Sequence, residues 1–331
     1  MALEHPYLLF LGDAPDALAA KVAQGVKDWR PGISVGQLRL PGCNADMGLT
    51  DMTIAEAAAA GAKTLVIGVA NRGGVISPEW KAVLIEAMEA GMDIAAGLHT
   101  LLNQQDDLVE AARRTGKTLH DVRIPTVQYP IGDGKKRAGK RVLAVGTDCS
   151  CGKMYTALAM EKTMRARGMN ADFRATGQTG ILVTGSGVPL DAVIADFMAG
   201  AVEDLTPPNA EDHWDLIEGQ GSLFHPSYSG VTMALVHGGQ ADVLVLCHEP
   251  TRTYMRGLPH YDVPSLEELR ETALPLARRV NPEARVIGCS INTAALSDAE
   301  ASAYLAETEK RIGLPCVDPF RHGADRLVDA L

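Results

Sequence analysis

The centre of the chain reads Gly146-Thr147-Asp148-Cys149-Ser150-Cys151-Gly152-Lys153-Met154. A run of apolar residues precedes this stretch and a helical pattern follows it. A strand that passes through a glycine-rich turn into a helix directs several backbone N–H groups and the positive end of the helix at one point. Lys153 can then neutralise a bound anion. The stretch therefore predicts a phosphate-binding loop within an α/β domain.

Two features of this loop depart from the common phosphate-binding pattern. Five residues rather than four separate Gly146 from Gly152, and Met154 follows the lysine where a serine or threonine normally holds Mg²⁺. A thioether is a poor ligand for a hard cation. We therefore expect a site that binds a diphosphate without an obligatory metal.

The composition indicates a globular protein large enough for two domains. The chain has 331 residues, 46% of them hydrophobic and 22% charged, and a formal net charge of -10. This acidic balance argues against binding to nucleic acid or to anionic membranes. The first residues lack a signal-peptide pattern and no apolar run reaches about 20 residues, so a cytoplasmic enzyme acting on a small molecule is expected. An acidic α/β enzyme of this size is also expected to form a homo-oligomer.

The six cysteines do not form a disulfide or metal-knuckle pattern. Cys149 and Cys151 differ from the others because they lie within the loop, where the helix end and Lys153 could lower a thiol pKa. They could carry an acyl group, or they could be small side chains that fill a tight turn. The second interpretation is favoured because no general base is close to them in sequence.

Strand and helix patterns alternate on both sides of a charged, glycine-rich segment at residues 131–140, which is interpreted as a linker. Before it, strands are predicted at 7–11, 34–40, 64–70 and 93–96, and helices at 15–29 and 78–90. This alternation predicts a Rossmann-like parallel-sheet domain over residues 1–130. Its first strand is not followed by G-x-G-x-x-G, so no dinucleotide is assigned to it.

The second domain, residues 141–331, has the same alternation. Strands are predicted at 141–145, 171–175, 213–217, 243–247 and 285–290. Ligands bind beyond the carboxyl ends of such strands. The polar side chains that follow these strands include Gln178, Glu218, His248, Glu249 and Asn292.

Several motifs resemble known families. The loop from Gly146 to Met154, the run Glu218-Gly219-Gln220-Gly221-Ser222 and the run Ser290-Ile291-Asn292-Thr293 resemble the P-loop class that contains dethiobiotin synthetase. Nearly the whole chain is similar to a two-domain family long catalogued as a domain of unknown function, and the motifs concerned are Ala175-Thr176-Gly177-Gln178-Thr179-Gly180, Gly185-Ser186-Gly187-Val188 and Leu246-Cys247-His248-Glu249. The resemblance implies a Rossmann-like domain followed by a P-loop NTPase-like domain, both with parallel sheets.

A characterised activity in that family is transfer of an acetyl group from acetyl-CoA to the amino group of D-glutamate. The resemblance therefore implies that acetyl-CoA is the co-substrate and that the loop binds its nucleotide part. The residues implied in this binding are Gly146, Thr147, Cys149, Ser150, Cys151, Gly152, Lys153, Met154 and Asn292. A loop that binds phosphates without cleaving a γ-phosphate does not need a serine or threonine hydroxyl to hold Mg²⁺, which accounts for Met154.

Acyl transfer to an amine needs a base that takes the ammonium proton. The candidates are Glu218, His248 and Glu249, which follow predicted strands on the ligand side of the sheet. Glu218 could equally hold the glycine loop through its N–H groups. Asp148 could orient Lys153 or hold a metal-bound water.

The two carboxylates of glutamate need cationic partners. Arg252 and Arg256 follow the fourth strand of the second domain and could each grip a carboxylate with two hydrogen bonds. In the first domain, Asn71 and Arg72 follow the third strand, and Gln178 follows the second strand of the other domain. We expect these residues to bind the acceptor in a cleft between the domains.

Two other functions remain open from the sequence. The protein could be an ATP-dependent ligase or kinase of the dethiobiotin synthetase type, with Thr156 or Asp148 replacing the missing hydroxyl. ADP release that depends on Mg²⁺ would identify it. The protein could also be a nucleotide-binding regulator without turnover.

Overall fold

The computed structural model describes residues 3–17, 19–69 and 75–331, which form two compact units. Unit 1 contains Met1–Thr126 and Gly177–Ala192, and unit 2 contains Val127–Thr176 and Val193–Leu331. The segment predicted as a linker, residues 131–140, thus lies in unit 2. Gly177–Ala192 packs within unit 1, whereas its position in the sequence had placed it in the second domain.

Unit 1 is built on a five-stranded parallel sheet with the strand order β2-β1-β3-β4-β5. Its strands are β1 (Tyr7–Gly12), β2 (Ser34–Arg39), β3 (Thr64–Ile67), β4 (Asp93–Ala96) and β5 (Leu119–Asp121). Its helices are α1 (Lys21–Trp29), α2 (Ile54–Ala59), α3 (Pro78–Glu89), α4 (Asp106–Thr115) and α6 (Gln178–Thr184). The central strands β1 and β3 are buried along their whole length, as expected for parallel strands covered on both faces.

The helix boundaries of unit 1 follow from local capping. The Ser77 side chain accepts a hydrogen bond from the Trp80 N–H at the start of α3, and Pro78 occupies the first helical position. The helix predicted from residue 15 begins only at Lys21. The Asp16 carboxylate accepts a hydrogen bond from the Ala19 N–H and forms a separate turn there, so the first part of that prediction was wrong.

Unit 2 is built on a six-stranded parallel sheet with the order β13-β12-β9-β6-β8-β7. The strands are β6 (Lys140–Gly146), β7 (Ala171–Arg174), β8 (Trp214–Ile217), β9 (Val243–His248), β12 (Arg285–Ile291) and β13 (Cys316–Val317). An antiparallel hairpin is formed by β10 (Tyr254–Met255) and β11 (Leu258–Asp262). The helices are α5 (Lys153–Ala166), α7 (Met198–Leu205), α8 (Ser229–Gly239), α9 (Leu266–Ala277), α10 (Asp298–Ile312), α11 (Pro319–His322) and α12 (Asp325–Val328).

The strand order of unit 2 brings the predicted polar loops together. Strand β6 lies between β8 and β9, so the segments that follow these three strands meet at one edge of the sheet. The α/β fold class and the parallel sheets predicted from the sequence are confirmed. The sequence prediction omitted β5, β13 and the hairpin. Strands β5, β13 and β10 have only two or three residues and carry no periodic pattern, and the five-residue β11 is mostly exposed and has no run of apolar residues. In the described ranges, no helix is both long and apolar enough to cross a membrane.

Candidate functional site

The phosphate-binding loop lies at the carboxyl end of β6 and leads directly into α5. Ser150 and Gly152 have φ angles of 54° and 105°, and this left-handed backbone turns the chain so that α5 begins at Lys153. Glycine takes up such a conformation without strain. The amino end of a 14-residue helix therefore faces the loop and favours an anion there.

Two glycines make room for the lysine beneath this loop. Lys153 is only 5% exposed, and its Nζ donates a hydrogen bond to the Asp148 carbonyl at 2.7 Å. A Cβ on Gly146 would lie 3.0 Å from the lysine Nζ, and a Cβ on Gly219 would lie 2.9 Å from its Cδ. The lysine is thus held in a fitted channel with its charge at the loop.

The Asp148 carboxylate connects the loop to the hairpin segment. It is 1% exposed and accepts hydrogen bonds from the Cys149 N–H at 2.7 Å, the Arg256 N–H at 2.8 Å and the Arg252 Nη1 at 2.7 Å. Lys153 contacts the carbonyl of this residue and not its carboxylate. The Asp148 carboxylate therefore anchors the segment that carries β10–β11, while the carbonyl of the same residue holds the Lys153 ammonium.

Both arginines predicted to bind acceptor carboxylates contact the loop. Arg252 also donates to the Cys149 carbonyl at 2.6 Å and to the Glu249 carboxylate. Burial opposes its charged form, but the hydrogen bond with Asp148 and the charges of Glu249 and Asp148 outweigh burial and raise the pKa of Arg252. Arg256 Nη1 lies 2.5 Å from Ser150 Oγ.

Glu218 stabilises the neighbouring turn after β7. Its carboxylate accepts a hydrogen bond from the Thr176 N–H at 2.8 Å, and the Thr176 hydroxyl donates to the Glu218 carbonyl at 2.8 Å. Gln220 also donates to the Thr176 carbonyl. Glu218 is 6% exposed, and the residue that follows it, Gly219, packs against Lys153. Gln178 belongs to unit 1, where a Cβ on Gly97 would lie 2.1 Å from its Oε1.

His248 contacts the loop from the end of β9. Its Nδ1 lies 2.9 Å from Thr147 Oγ1, and its ring stacks on that of Tyr304 with centroids 6.4 Å apart. Burial, together with the positive charges of Arg311 and Arg252, lowers the pKa of His248 to about 4. The imidazole is therefore neutral at pH 7 and can accept a proton, although as a weak base.

The lowered pKa of His248 predicts acid sensitivity. Between about pH 4 and pH 6.5 the unfolded chain binds a proton at this residue and the folded chain does not, so stability is lost as the pH falls through this window. Lowering the pH from 7 to 5 should reduce the free energy of unfolding by up to about 2 kcal/mol through this residue. Urea unfolding of wild type and His248→Gln at both pH values measures it. An equal loss in the two proteins would contradict the assignment.

The remaining predicted nucleotide contact and the alternative magnesium ligand have defined positions. The Asn292 N–H donates to the His248 carbonyl at 2.8 Å, and a Cβ on Gly152 would lie 3.9 Å from the asparagine Cβ. Asn292 is thus adjacent to the loop. The Thr156 hydroxyl is buried between the Gly152 carbonyl at 2.9 Å and Ser290 Oγ at 2.7 Å. It therefore cannot replace the missing magnesium ligand without breaking these bonds.

His225 is a neighbour of the loop that the site prediction omitted. One ligand atom each of Asp148, Cys149 and His225 lie within 4.8 Å of one another, which is compatible with a metal site. However, His225 Nδ1 accepts the Ser227 N–H at 3.2 Å, and its Nε2 lies 3.3 Å from the Arg256 carbonyl. Since the Asp148 carboxylate is also hydrogen-bonded, the cluster is better suited to fixing the loop than to binding a metal. A local sequence pattern could not reveal this long-range contact.

The cysteine in this cluster is not activated. Burial raises the pKa of Cys149 above its ordinary value despite the nearby charge of Lys153. If the chain transfers acetyl groups, as the family resemblance implies, Cys149→Ala should retain this activity within about fivefold of wild type, a loss of roughly 1 kcal/mol. Steady-state kinetics and intact mass after incubation with acetyl-CoA test this. An acetylated Cys149, with loss of turnover in the variant, would establish it as a nucleophile.

The predicted acceptor residues Asn71 and Arg72 lie outside the described residues.

Comparison with known proteins identifies relatives of both domains. A family profile described as the P-loop domain of a domain of unknown function, DUF1611, matches residues 130–328, and the Rossmann-like N-terminal domain of the same family matches residues 38–125. A crystal structure of a DUF1611 family protein from Anabaena variabilis superimposes with a TM-score of 0.85 at 32% identity, covering 99% of each chain.

Two further relatives match nearly the full chain. A protein named D-glutamate N-acetyltransferase from Tritonibacter scottomollicae is 72% identical over 329 residues, with 99% of each chain covered. A protein of the same name from a Pseudoalteromonas species is 48% identical over 328 residues, again with 99% of each covered.

Proposed function

Because this chain belongs to the DUF1611 family, with its Rossmann-like and P-loop domains, we propose that it is an N-acetyltransferase that acetylates the amino group of D-glutamate. The support is the full-length identity, 72% and 48%, to two proteins that bear the name of this activity. The proposed acetyl donor is acetyl-CoA.

The observation that supports acetyl-CoA is a phosphate-type loop that lacks the serine or threonine hydroxyl by which such loops usually bind Mg²⁺. Lys153 and the amino end of α5 converge on the loop, Met154 follows the lysine, and the Thr156 hydroxyl is engaged elsewhere. Such a loop suits a nucleotide that is held by its phosphates but not cleaved there. A ligase or kinase would need a cation ligand at this point.

The reaction requires the acceptor ammonium to lose a proton before its nitrogen attacks the thioester carbonyl. The tetrahedral oxyanion then collapses with cleavage of the carbon–sulfur bond, and CoA leaves as the thiol. Glu218 and the neutral His248 are the proposed proton acceptors, because Asp148 and Glu249 both pair with Arg252. We propose Asn71 and Arg72 as acceptor ligands.

Release of free thiol from acetyl-CoA tests this function directly. The assay compares D-glutamate, L-glutamate and no acceptor, each in EDTA and in Mg²⁺. Release that requires D-glutamate and persists in EDTA is expected. ADP formation from ATP, without thiol release, would instead support a ligase or kinase.

A further inference from the structure

We propose that Arg256 binds the diphosphate in the nucleotide part of acetyl-CoA, together with the loop of residues 146–153. This inference rests on the proposed function, since it assumes a CoA thioester as donor. It replaces the expectation that Arg256 grips a carboxylate of the acceptor. The ligand chemistry concerned is a diphosphate ester.

The position of Arg256 follows from two contacts with the loop. Its backbone N–H donates to the Asp148 carboxylate at 2.8 Å, and its Nη1 lies 2.5 Å from Ser150 Oγ. Ser150 is exposed and occupies the left-handed turn of the loop, and Arg256 is exposed as well. The guanidinium therefore lies on the solvent side of the loop, the side from which an anion reaches the N–H groups.

The other arginine of the segment has a different role. The Arg252 guanidinium bonds to Asp148, the Cys149 carbonyl and Glu249, and its side chain is 18% exposed. These acceptors already neutralise its charge, so Arg252 is a positioning residue that fixes the hairpin to the loop. Within the described ranges, the Arg256 guanidinium bonds only to Ser150. Most of its five N–H donors thus remain for a ligand, and their fork matches two phosphate oxygens.

The chemistry of the donor separates the phosphate and carboxylate interpretations. In acetyl-CoA the whole pantetheine chain lies between the diphosphate and the reacting thioester. The acceptor must meet the thioester, so its carboxylates lie with the thioester and do not occupy the diphosphate position at the loop. Arg256 contacts Ser150 in the exposed turn of the loop, whereas the proposed base His248 contacts Thr147, the buried first residue after β6. The exposed turn is the part of the loop that a diphosphate reaches, so the Arg256 guanidinium is placed to serve the nucleotide.

Binding measurements on four proteins test the inference: wild type, Arg256→Ala, Arg256→Lys and the control Arg279→Ala. Arg279 is an exposed arginine of unit 2 that follows α9, at the edge of the sheet opposite the loop. Calorimetry gives the Kd for CoA and for 3′-dephospho-CoA, and kinetics give the KM for D-glutamate. All variants keep the Arg252–Asp148 pair, so the hairpin stays anchored.

Arg256→Ala should raise the Kd for CoA and the Kd for 3′-dephospho-CoA equally, by about tenfold to a hundredfold. Arg256→Lys should lose less affinity for the CoA compounds than Arg256→Ala, and Arg279→Ala should bind them as wild type does. The KM for D-glutamate should stay within about twofold of the wild-type value in all the variants. A raised KM for D-glutamate with unchanged CoA binding would overturn the inference, as would a loss confined to CoA, which would indicate a 3′-phosphate contact. If wild type transfers acetyl groups while Arg256→Ala binds CoA normally, only this inference fails. A wild type that binds no CoA refutes the proposed donor itself.

Discussion

Replacing Lys153 by alanine is expected to lower kcat/KM for acetyl-CoA by about a hundredfold to a thousandfold, equivalent to roughly 3–4 kcal/mol. The lysine is 5% exposed in a channel lined by Gly146 and Gly219, so its charge is little screened by solvent. Its loss removes the buried positive charge that is proposed to face the phosphates of the donor. Steady-state kinetics with varied acetyl-CoA, at saturating D-glutamate, measure the effect.

The matched control is Lys162→Ala, which removes an exposed lysine from the same helix, α5. This variant should remain within about twofold of wild type, because exposed charges contribute little. Lys153→Arg should also be strongly impaired, since the channel leaves no space for a planar guanidinium. Near-normal kcat/KM in Lys153→Ala would show that the loop does not bind the donor.

Replacing Gly219 by alanine is expected to destabilise unit 2 by about 3 kcal/mol or more. The added Cβ would lie 1.8 Å from the Ala144 carbonyl oxygen and 2.9 Å from Lys153 Cδ. The first contact is with the backbone of the central strand β6, which cannot move without disturbing the sheet. Thermal unfolding should therefore shift downward by at least about 5 °C, with loss of CoA binding.

Gly230→Ala provides the comparison for this substitution. Gly230 lies in α8, is exposed, and an added Cβ meets nothing within 4 Å. Alanine favours a helix over glycine by up to about 1 kcal/mol, so this variant should be as stable as wild type or more so. Equal melting temperatures for Gly219→Ala and wild type would show that the strand and the turn after β8 are less tightly packed than described.

Much of the fold could be predicted from local patterns. The apolar run before the loop, the glycine-rich loop and the helix predicted at 78–90 each depend on residues close together in the chain, and the structure has them at the expected places. The family motifs then gave the order of the two domains, which the comparisons confirm.

The contacts that define the site could not be predicted in this way. Arg252 and Asp148 are 104 residues apart in sequence, and no periodicity shows that a guanidinium and a carboxylate will pair. The packing of Gly177–Ala192 within unit 1 also depends on tertiary contacts, because this segment directly follows a strand of unit 2 in the sequence. The predicted catalytic roles of Glu218 and His248 remain predictions: the His248 ring contacts Thr147 of the loop, and the Glu218 carboxylate contacts Thr176.

The pairing of Asp148 with the hairpin bears on how this loop could be transferred between proteins. A phosphate loop is often regarded as a portable motif, complete within one strand, turn and helix. Here the turn carries a buried carboxylate that has the same sign of charge as the proposed ligand, and the compensating Arg252 belongs to a segment distant in sequence. A chimera that received residues 146–153 alone would therefore repel the anion it was meant to bind. The functional unit that evolution or design must move is the loop together with its hairpin.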